Sequence, residues 1–359
     1  MDVALKIWRY DPVSGDKVLR EYEVDAPEWA CLLDVLDLIK DKHDGTLAYR
    51  KSCRMMICGS CGMRMDGRAI LACKERMKPI VEAGHVPVIS PMGNMPVLKD
   101  LVVDMAPFWG KIRAVKPWLD PGYDEVAEKE RIVSQQRMNA IHKESLCIMC
   151  GCCVSECNSM ESDPEFLGPA ALAKGFRFVG DVRDKADVAR LNDYNEEHGI
   201  WDCTRCYFCN ERCPKGVDPR DAIAKLGAES IKQKVDHDMG AKHAKWFVKS
   251  AETTGWLRET ELVPNTQGVV EAVKQVGFAL NLAKHGKVPP PFPPHVAKDV
   301  KEARALHDLV REQGREGAAG IIQGEKALAR IEHVLDEDPD RGPASRVAPE
   351  QAGGKSGGD

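Results

Sequence analysis

The chain has 359 residues, a formal net charge of -5 and 14 cysteines. Its length allows two or three domains with their own cores, and the mild charge without a long basic run argues against a nucleic-acid surface. No run approaches 18 apolar residues and the N-terminus has no signal-peptide pattern, so we expect no membrane span and a cytoplasmic protein with reduced thiols.

Residues 1–105 alternate short strand signals with one helix. ALKIWRY and KVLREYEV are predicted to be strands on either side of a turn at Pro12–Asp16. CLLDVLDLIKDKH carries apolar residues at helical spacing, which predicts an amphipathic helix. Asp66–Gly67 separates two strand-like arms, and because both residue types tolerate a positive φ, we expect a tight hairpin there.

Residues 106–250 are predicted to be helical with cysteine-rich loops, and the spacing Cys-x2-Cys-x2-Cys-x3-Cys occurs twice in them. GPAALAKGFRFVGD and DVARLNDYNEEHGI, between the two copies, are expected to be helical connectors. Residues 251–359 form an extension with a polyproline-type linker at 288–295. VAKDVKEARALHDLVREQ and EKALARIEHVLDE are helix candidates in it, and the C-terminal tail has almost nothing to bury, which predicts disorder.

The first cysteine group has the spacing of a plant-type [2Fe–2S] site. Its members are Cys53, Cys58, Cys61 and Cys73. Three thiolates on one loop need a sharply turning backbone, and Gly59 and Gly62, with Ser60 between them, allow that and leave amides free to hydrogen-bond sulfur. A zinc site is the alternative, but zinc ribbons usually present two C-x2-C pairs.

The repeated run is typical of two-cluster ferredoxins, in which three cysteines of one run bind one cluster and the fourth reaches the other. On that rule the second group, predicted to hold a [4Fe–4S] cluster, is Cys147, Cys150, Cys153 and Cys213. The third group is Cys157, Cys203, Cys206 and Cys209. Cys152 is off the repeat spacing and is expected to be a packed thiol, while Cys31 is expected on the apolar face of its helix.

This arrangement resembles the iron–sulfur subunit of succinate dehydrogenase and fumarate reductase, the complex II family. The resemblance covers roughly residues 3–220 and is carried by RKSCRMMICGSCGMRMDGRAILAC, VLKDLVVDMAPFW, CIMCGCCVSEC with FLGPAALAKGFRFVGDVRD, and CPKGVDP. It implies an α+β chain with an N-terminal β-grasp plant-type [2Fe–2S] ferredoxin domain, a helical two-cluster ferredoxin domain and a C-terminal extension.

The resemblance also implies a function. The chain would be an oxidoreductase subunit that relays electrons between the FAD of a flavoprotein subunit and a quinone at a membrane-anchor or quinone-binding subunit. We expect FAD only in the partner, because the sequence contains no GxGxxG nucleotide loop. The chain would carry no catalytic residue and bind no nucleic acid, and it would lie on the inner face of the cell membrane through its partners.

Two positions depart from the family pattern. Most members have a non-cysteine residue at the position of Cys206 and a [3Fe–4S] third cluster, whereas the extra thiol here favours [4Fe–4S]; the alternative keeps [3Fe–4S] with Cys206 turned away. Members also commonly place a tryptophan shortly after the counterpart of Cys157 and a histidine after that of Cys203. Here NSMESDP and Thr204 stand there, which favours a low-potential menaquinone or a different partner as acceptor.

Two other functions stay open on the sequence. The first is the iron–sulfur subunit of another flavin-linked reductase, of thiol-fumarate or heterodisulfide type. Some of these subunits continue into CCG-type repeats, and the lack of a cysteine after Cys213 argues against them. A zinc-dependent interaction or nucleic-acid module would need a basic face and paired C-x2-C ribbons. The extension from residue 251 is expected either to dock a partner or to be an inert tail.

Overall fold

A computed structural model describes residues 1–122, 131–287 and 296–316. The strands are β1 (Asp2–Tyr10), β2 (Lys17–Asp25), β3 (Gly62–Met65), β4 (Arg68–Leu71), β5 (Val88–Ser90), β6 (Val97–Lys99) and β7 (Val102–Val103). A mixed five-stranded sheet has the order β2-β1-β5-β3-β4, and β6 pairs with β7. In the sheet β1 is antiparallel to β2 and parallel to β5, while β5 is antiparallel to β3.

The helices follow in chain order. Those of the first part are α1 (Leu32–Lys42), α2 (Lys78–Glu82) and α3 (Ala106–Ala114). The cysteine-rich part contains α4 (Gln135–Ala140), α5 (His142–Ser145), α6 (Cys152–Ser155), α7 (Asn158–Ser162), α8 (Gly168–Val179), α9 (Asp187–Tyr194), α10 (Phe208–Glu211) and α11 (Pro219–Lys232). After them come α12 (Met239–Thr254), α13 (Leu262–Thr266), α14 (Val269–Lys274), α15 (Val276–Lys284) and α16 (Val300–Glu316), with 3-10 turns at Ile200–Asp202 and Glu259–Glu261.

The first core lies between the sheet and α1. Val3, Leu5 and Ile7 alternate along β1 and therefore point to one face of the sheet, where they are buried. Leu36 and Ile39 lie on one face of α1 and belong to the same buried cluster. The predicted strands β1 and β2 and the predicted helix α1 are confirmed.

Cys31 was expected in the core, on the apolar face of α1. It packs against the first core, but it lies just before the helix as its N-cap residue. Its backbone is extended, and its amide donates to the Asp34 carboxylate at 3.0 Å, so the residue caps the helix start instead of continuing its face. Its thiol is half-buried and lies 2.9 Å from the same carboxylate.

The second core surrounds α8. Leu172 and Phe176 of α8 are buried together with Phe166 before the helix and Leu226 of α11. The predicted helical connectors are confirmed as α8 and α9. Because both cysteine runs border this core, α8 and α11 hold them together in space.

The extension is helical where it is described. Helix α16 confirms the helix predicted in VAKDVKEARALHDLVREQ, while the predicted linker at 288–295, the helix in EKALARIEHVLDE and the tail lie outside the described residues. Among the described helices, none combines the length and the apolar composition needed to cross a bilayer. Met1–Asp308 forms one compact unit.

Candidate metal centres

Two cysteines of the first group lie at the open end of the β3–β4 hairpin. Asp66 and Gly67 have φ values of 52° and 76°, so the predicted tight turn is confirmed. Cys61 precedes β3 and Cys73 follows β4, and the Ala72 amide donates to the Cys61 carbonyl at 3.1 Å. Burial, and then the thiol of Cys73, raise the pKa of Cys61 to about 12, although a hydrogen bond from the Cys73 backbone opposes the shift.

The loop before the hairpin brings the other two thiols of this group. The Sγ atom of Cys53 accepts hydrogen bonds from the amides of Met55, Ile57 and Cys58 at 3.4, 3.4 and 3.2 Å. Burial opposes ionisation of Cys58. Hydrogen bonds with the hydroxyl and amide of Ser60, and with the backbone and side chain of Cys53, nevertheless lower the pKa of Cys58 to about 6. The sequence predicted amide donors to sulfur in the Gly59–Gly62 segment, and the Ser60 amide is one of them. It did not predict the three amides that donate to Cys53.

The four thiols of the second group line one small cavity. They are Cys147, Cys150, Cys153 and Cys213. Ala170 and Ala173 of α8 form part of the remaining wall, and the amide of Val217 donates to Cys213 Sγ at 3.3 Å. Buried thiolates are stable only beside cations, so this donor set and its cavity fit an iron–sulfur cluster.

The third group also assembles. Burial raises the pKa of Cys157, Cys203 and Cys209, and the charge of Cys206 raises each of them further. These contributions indicate that Cys206 lies in the same neighbourhood as the three cysteines with which the repeat spacing grouped it.

The two cysteine runs share one loop geometry. Cys150 in the first run is flanked by Met149 and Gly151, with φ values of 54° and 81°, and α6 begins directly afterwards. In the second run Arg205 and Tyr207 flank Cys206 with φ values of 57° and 67°, and α10 begins at the same point. The internal repeat is thus also a repeat of backbone conformation.

Cys152 lies outside all three groups. Its side chain is fully buried, and its thiol is 3.7 Å from the Ile70 carbonyl in the first core. A hydrogen bond from Cys152 is the largest influence that lowers the pKa of Cys150, to about 7. The expectation of a packed thiol beside the second group agrees with this position.

Two stretches that depart from the family pattern meet beside the third group. The amide of Thr204 donates to the Ser159 hydroxyl, within NSMESDP, at 3.2 Å. Nearby, the Nδ1 atom of His198 lies 2.7 Å from Asp163 and its Nε2 atom 3.1 Å from Glu165, and the hydrogen bond to Asp163 raises the pKa of His198. This side of the group therefore carries several titratable residues.

A cleft opens next to the third group. Cys203 lies in its wall with Trp201, Arg205 and Arg220, and small and branched apolar residues of α11 complete it. The sequence did not indicate this cleft, because its wall combines residues that are distant along the chain.

The three groups are contiguous. A Cβ atom added to Gly59, in the first-group loop, would lie 2.8 Å from the Cα atom of Cys150 in the second group. Helix α6, which contains Cys153, contacts helix α10, which contains Cys209 of the third group, and both thiols are buried in the second core. The second group therefore touches the first and borders the third.

Two protein-family models match the chain: a 2Fe-2S iron-sulfur cluster binding domain over residues 4–110, and a 4Fe-4S dicluster domain over residues 144–217. The fumarate reductase iron-sulfur subunit of Haemophilus influenzae is 38% identical over 243 residues, which cover 64% of this chain and 94% of that protein. That of Mycobacterium tuberculosis is 42% identical over 226 residues, 62% of this chain and 90% of the relative. The chain belongs to the family of fumarate reductase and succinate dehydrogenase iron–sulfur subunits.

This iron–sulfur subunit also resembles the 8-methylmenaquinol:fumarate reductase iron-sulfur subunit of Wolinella succinogenes, with 35% identity over 72% of this chain and 82% of the relative. A solved structure, the Mycobacterium smegmatis Sdh1 complex in the apo form, contains a chain that matches with a TM-score of 0.57 and 26% identity, over 66% of this chain and 98% of that one. The expected ferredoxin-like [2Fe–2S] region followed by a [4Fe–4S] region is confirmed, as is the assignment to a subunit of an oxidoreductase.

Proposed function

We propose that this iron–sulfur subunit relays electrons between the FAD of a flavoprotein partner and a menaquinone at a membrane-anchor partner. The observation that carries the proposal is the contiguous row of three cysteine groups, which begins at the exposed Cys58. When bound, iron–sulfur clusters supply one-electron carriers in such a row. Dicarboxylate chemistry belongs to the flavoprotein in this proposal.

The chain's own part is to hold the clusters and set their surroundings. Cys53, Cys58, Cys61 and Cys73 would hold [2Fe–2S]; Cys147, Cys150, Cys153 and Cys213 would hold [4Fe–4S]; and Cys157, Cys203, Cys206 and Cys209 would hold the third cluster. The first group would lie in a β-grasp domain, an assignment supported by the parallel pairing of β1 with β5 and by α1 packed on the sheet. We divide the chain into 1–105, 106–250 and 251–359.

We assign [4Fe–4S] to the third group in preference to [3Fe–4S]. Cys206 has the same flanking backbone conformation as Cys150, its counterpart in the first run. Its electrostatic influence on the other three thiols supports a fourfold donor set. Since cluster type helps to set reduction potential, we expect a lower potential than a [3Fe–4S] centre would have.

The flavoprotein partner is proposed to cover the first-group loop. Met55 and Ile57, on either side of Met56, are 70% and 57% exposed, and the neighbouring Cys58 is exposed as well. Apolar side chains around an exposed ligand would be buried by a docked subunit, which would also exclude water from the centre.

The opposite end is proposed to face the acceptor. The cleft beside Cys203 combines apolar walls with Arg205 and Arg220, which suits a ring with polar oxygens. The absence of the family's usual tryptophan and histidine, at NSMESDP and Thr204, favours menaquinone over the common arrangement. Membrane-anchor partners would hold the chain at the inner face of the cell membrane.

The extension is proposed to dock one of these partners. Val273, Val276 and Leu280 follow one another at helical spacing along α14 and α15 and are 66%, 48% and 59% exposed. An exposed apolar stripe of this kind fits burial against another subunit.

The test is to purify the tagged chain with its partners from its native membranes without oxygen. We expect FAD to co-purify, succinate or menaquinol to reduce the first centre as seen by EPR, and fumarate or a menaquinone analogue to reoxidise it. A complex that lacks flavin, or one whose centres respond only to thiol or heterodisulfide couples, would contradict the proposal and favour the alternative reductase type.

A further inference from the structure

The first and second cysteine groups meet at a glycine. Gly59 has a φ of +73°, and a Cβ atom added to it would lie 2.8 Å from both the Cα and the Cβ atoms of Cys150 and 3.3 Å from the Cys150 amide nitrogen. Real Cβ atoms essentially never approach other atoms within 3.0 Å, and the Cα atom is backbone that cannot rotate away. Any side chain at this position must therefore push the two loops apart.

Hydrogen bonds between the two parts of the chain surround this contact. The Arg64 side chain donates to the Ser155 hydroxyl at 3.0 Å, and the Gly93 amide donates to the same hydroxyl at 2.9 Å. The Asn94 amide group donates to the Cys157 carbonyl at 2.9 Å. Residues from the first part of the chain thus hold the segment between the second- and third-group cysteines, so the loops cannot simply hinge away from each other.

We infer that Gly59 is a positioning residue for electron transfer, because its missing side chain sets the distance between the first and second clusters. The inference rests on the proposed function, since it requires both cysteine groups to hold clusters. One electron passes between the two sites, and no bond or proton changes. Because electron tunnelling weakens steeply with the distance between the two clusters, a wider separation of the ligand loops would slow this step.

The chain offers a matched control in Gly67. It lies in the same domain with a φ of +76°, and no atom lies within 4 Å of the position its Cβ would take. Replacement of Gly59 or Gly67 by the same residue therefore introduces the same backbone strain, whereas only the change at Gly59 collides with Cys150. The test compares Gly59→Ala with Gly67→Ala and Gly59→Val with Gly67→Val, each in the assembled complex.

The readout is the microwave power at which the EPR signal of the reduced [2Fe–2S] cluster is half-saturated. When the second cluster is also photoreduced with a deazaflavin, its spin speeds relaxation of the first, and this dipolar effect falls steeply with the distance between the two clusters. We expect the Gly67 variants to match the wild type. We expect the relaxation effect to fall stepwise from Gly59→Ala to Gly59→Val, with several-fold slower electron transfer from the flavin side to quinone.

Each other outcome has a separate meaning. A wild-type complex without a [2Fe–2S] signal would overturn the proposed function itself. Complete signals in all proteins, with Gly59 variants that match their Gly67 counterparts in half-saturation power, would overturn the positioning role alone. Loss of either cluster from Gly59→Ala but not from Gly67→Ala would make the contact an assembly requirement and would overturn the claim about distance.

Discussion

Cys206 is the residue on which the nature of the third centre depends. It takes the place in the second run that Cys150 takes in the first, between two residues with positive φ, and it lies near the three other thiols of its group. We propose that a fourth thiolate at this position completes the donor set of a [4Fe–4S] cluster.

Replacement of Cys206 by alanine should convert the third centre to [3Fe–4S], because three thiolates would remain for it. We expect a [3Fe–4S] EPR signal to appear in the oxidised variant and the potential of the third centre to rise. Cys31→Ala, which removes a thiol outside the three groups, serves as the control and should leave the spectrum unchanged. A wild-type protein whose oxidised spectrum is already dominated by a [3Fe–4S] signal would refute the assignment.

At the scale of elements, hydrogen bonds between the hairpin β3–β4 and the C-terminal end of α6 connect the two cores. Arg64 of β3 bonds to Ser155 and, at 3.0 Å, to Glu156, whose side chain is only 13% exposed. Arg212 lies 4.0 Å from the same carboxylate, so Arg64 is its nearer charged partner, and loss of that hydrogen bond from a nearly buried carboxylate is costly.

Arg64→Met should therefore lower the free energy of unfolding by about 1–3 kcal/mol, the range for a buried polar group left unpaired. Anaerobic thermal unfolding followed by circular dichroism measures the change. Arg68→Met, on the exposed end of β4 in the same hairpin, is the control and should have little effect. Equal melting temperatures for the two variants would show that the connection between the two cores does not depend on the Arg64 contacts.

Helix α9 provides a prediction that depends on pH. The Tyr194 hydroxyl donates to the Val115 carbonyl at 2.7 Å, and burial raises the pKa of Tyr194 to about 12, although Arg190 opposes the shift. Because the folded pKa exceeds the unfolded value of about 10, this stabilisation is complete below pH 10 and is lost as pH rises toward 12.

Tyr194→Phe should lower the free energy of unfolding by about 1 kcal/mol at pH 8, and the difference from the wild type should shrink above pH 10. Apparent guanidinium midpoints measured anaerobically at pH 8 and pH 11 test this. Tyr207→Phe, which alters a ring that is 47% exposed, is the comparison. A gap between Tyr194→Phe and wild type that stays constant across this range would contradict the account.

Short-range patterns explain why several elements were predictable from the sequence. The alternation in β1, the apolar face of α1 and the Asp66–Gly67 turn are each encoded within about ten residues. β5, by contrast, has only three residues and takes its place between β1 and β3 through long-range pairing that no local pattern reveals.

The same limit applies to the site. Cysteine spacing was enough to group the ligand candidates, because the repeat fixes which thiols share a loop. The contact of Gly59 with Cys150 and the hydrogen bonds of Arg64 and Asn94 join residues that are about 60 to 90 positions apart. Without structure, Gly59 could be understood only as a residue that lets its own loop turn.

Taken as a whole molecule, the chain places three thiol groups across two adjoining cores. Cys61 is buried in the first core, while Cys153 and Cys209 are buried in the second. An exposed thiol at one end and an open cleft beside Cys203 at the other leave both ends accessible to partners. This layout suits a subunit that conducts electrons between two other proteins.

The most direct measurement of the central claim is the metal and acid-labile sulfide content of anaerobically purified protein. One [2Fe–2S] and two [4Fe–4S] clusters predict about ten iron and ten sulfide per chain, with no stoichiometric zinc. Stoichiometric zinc with little iron and no acid-labile sulfide would contradict the assignment of all three cysteine groups.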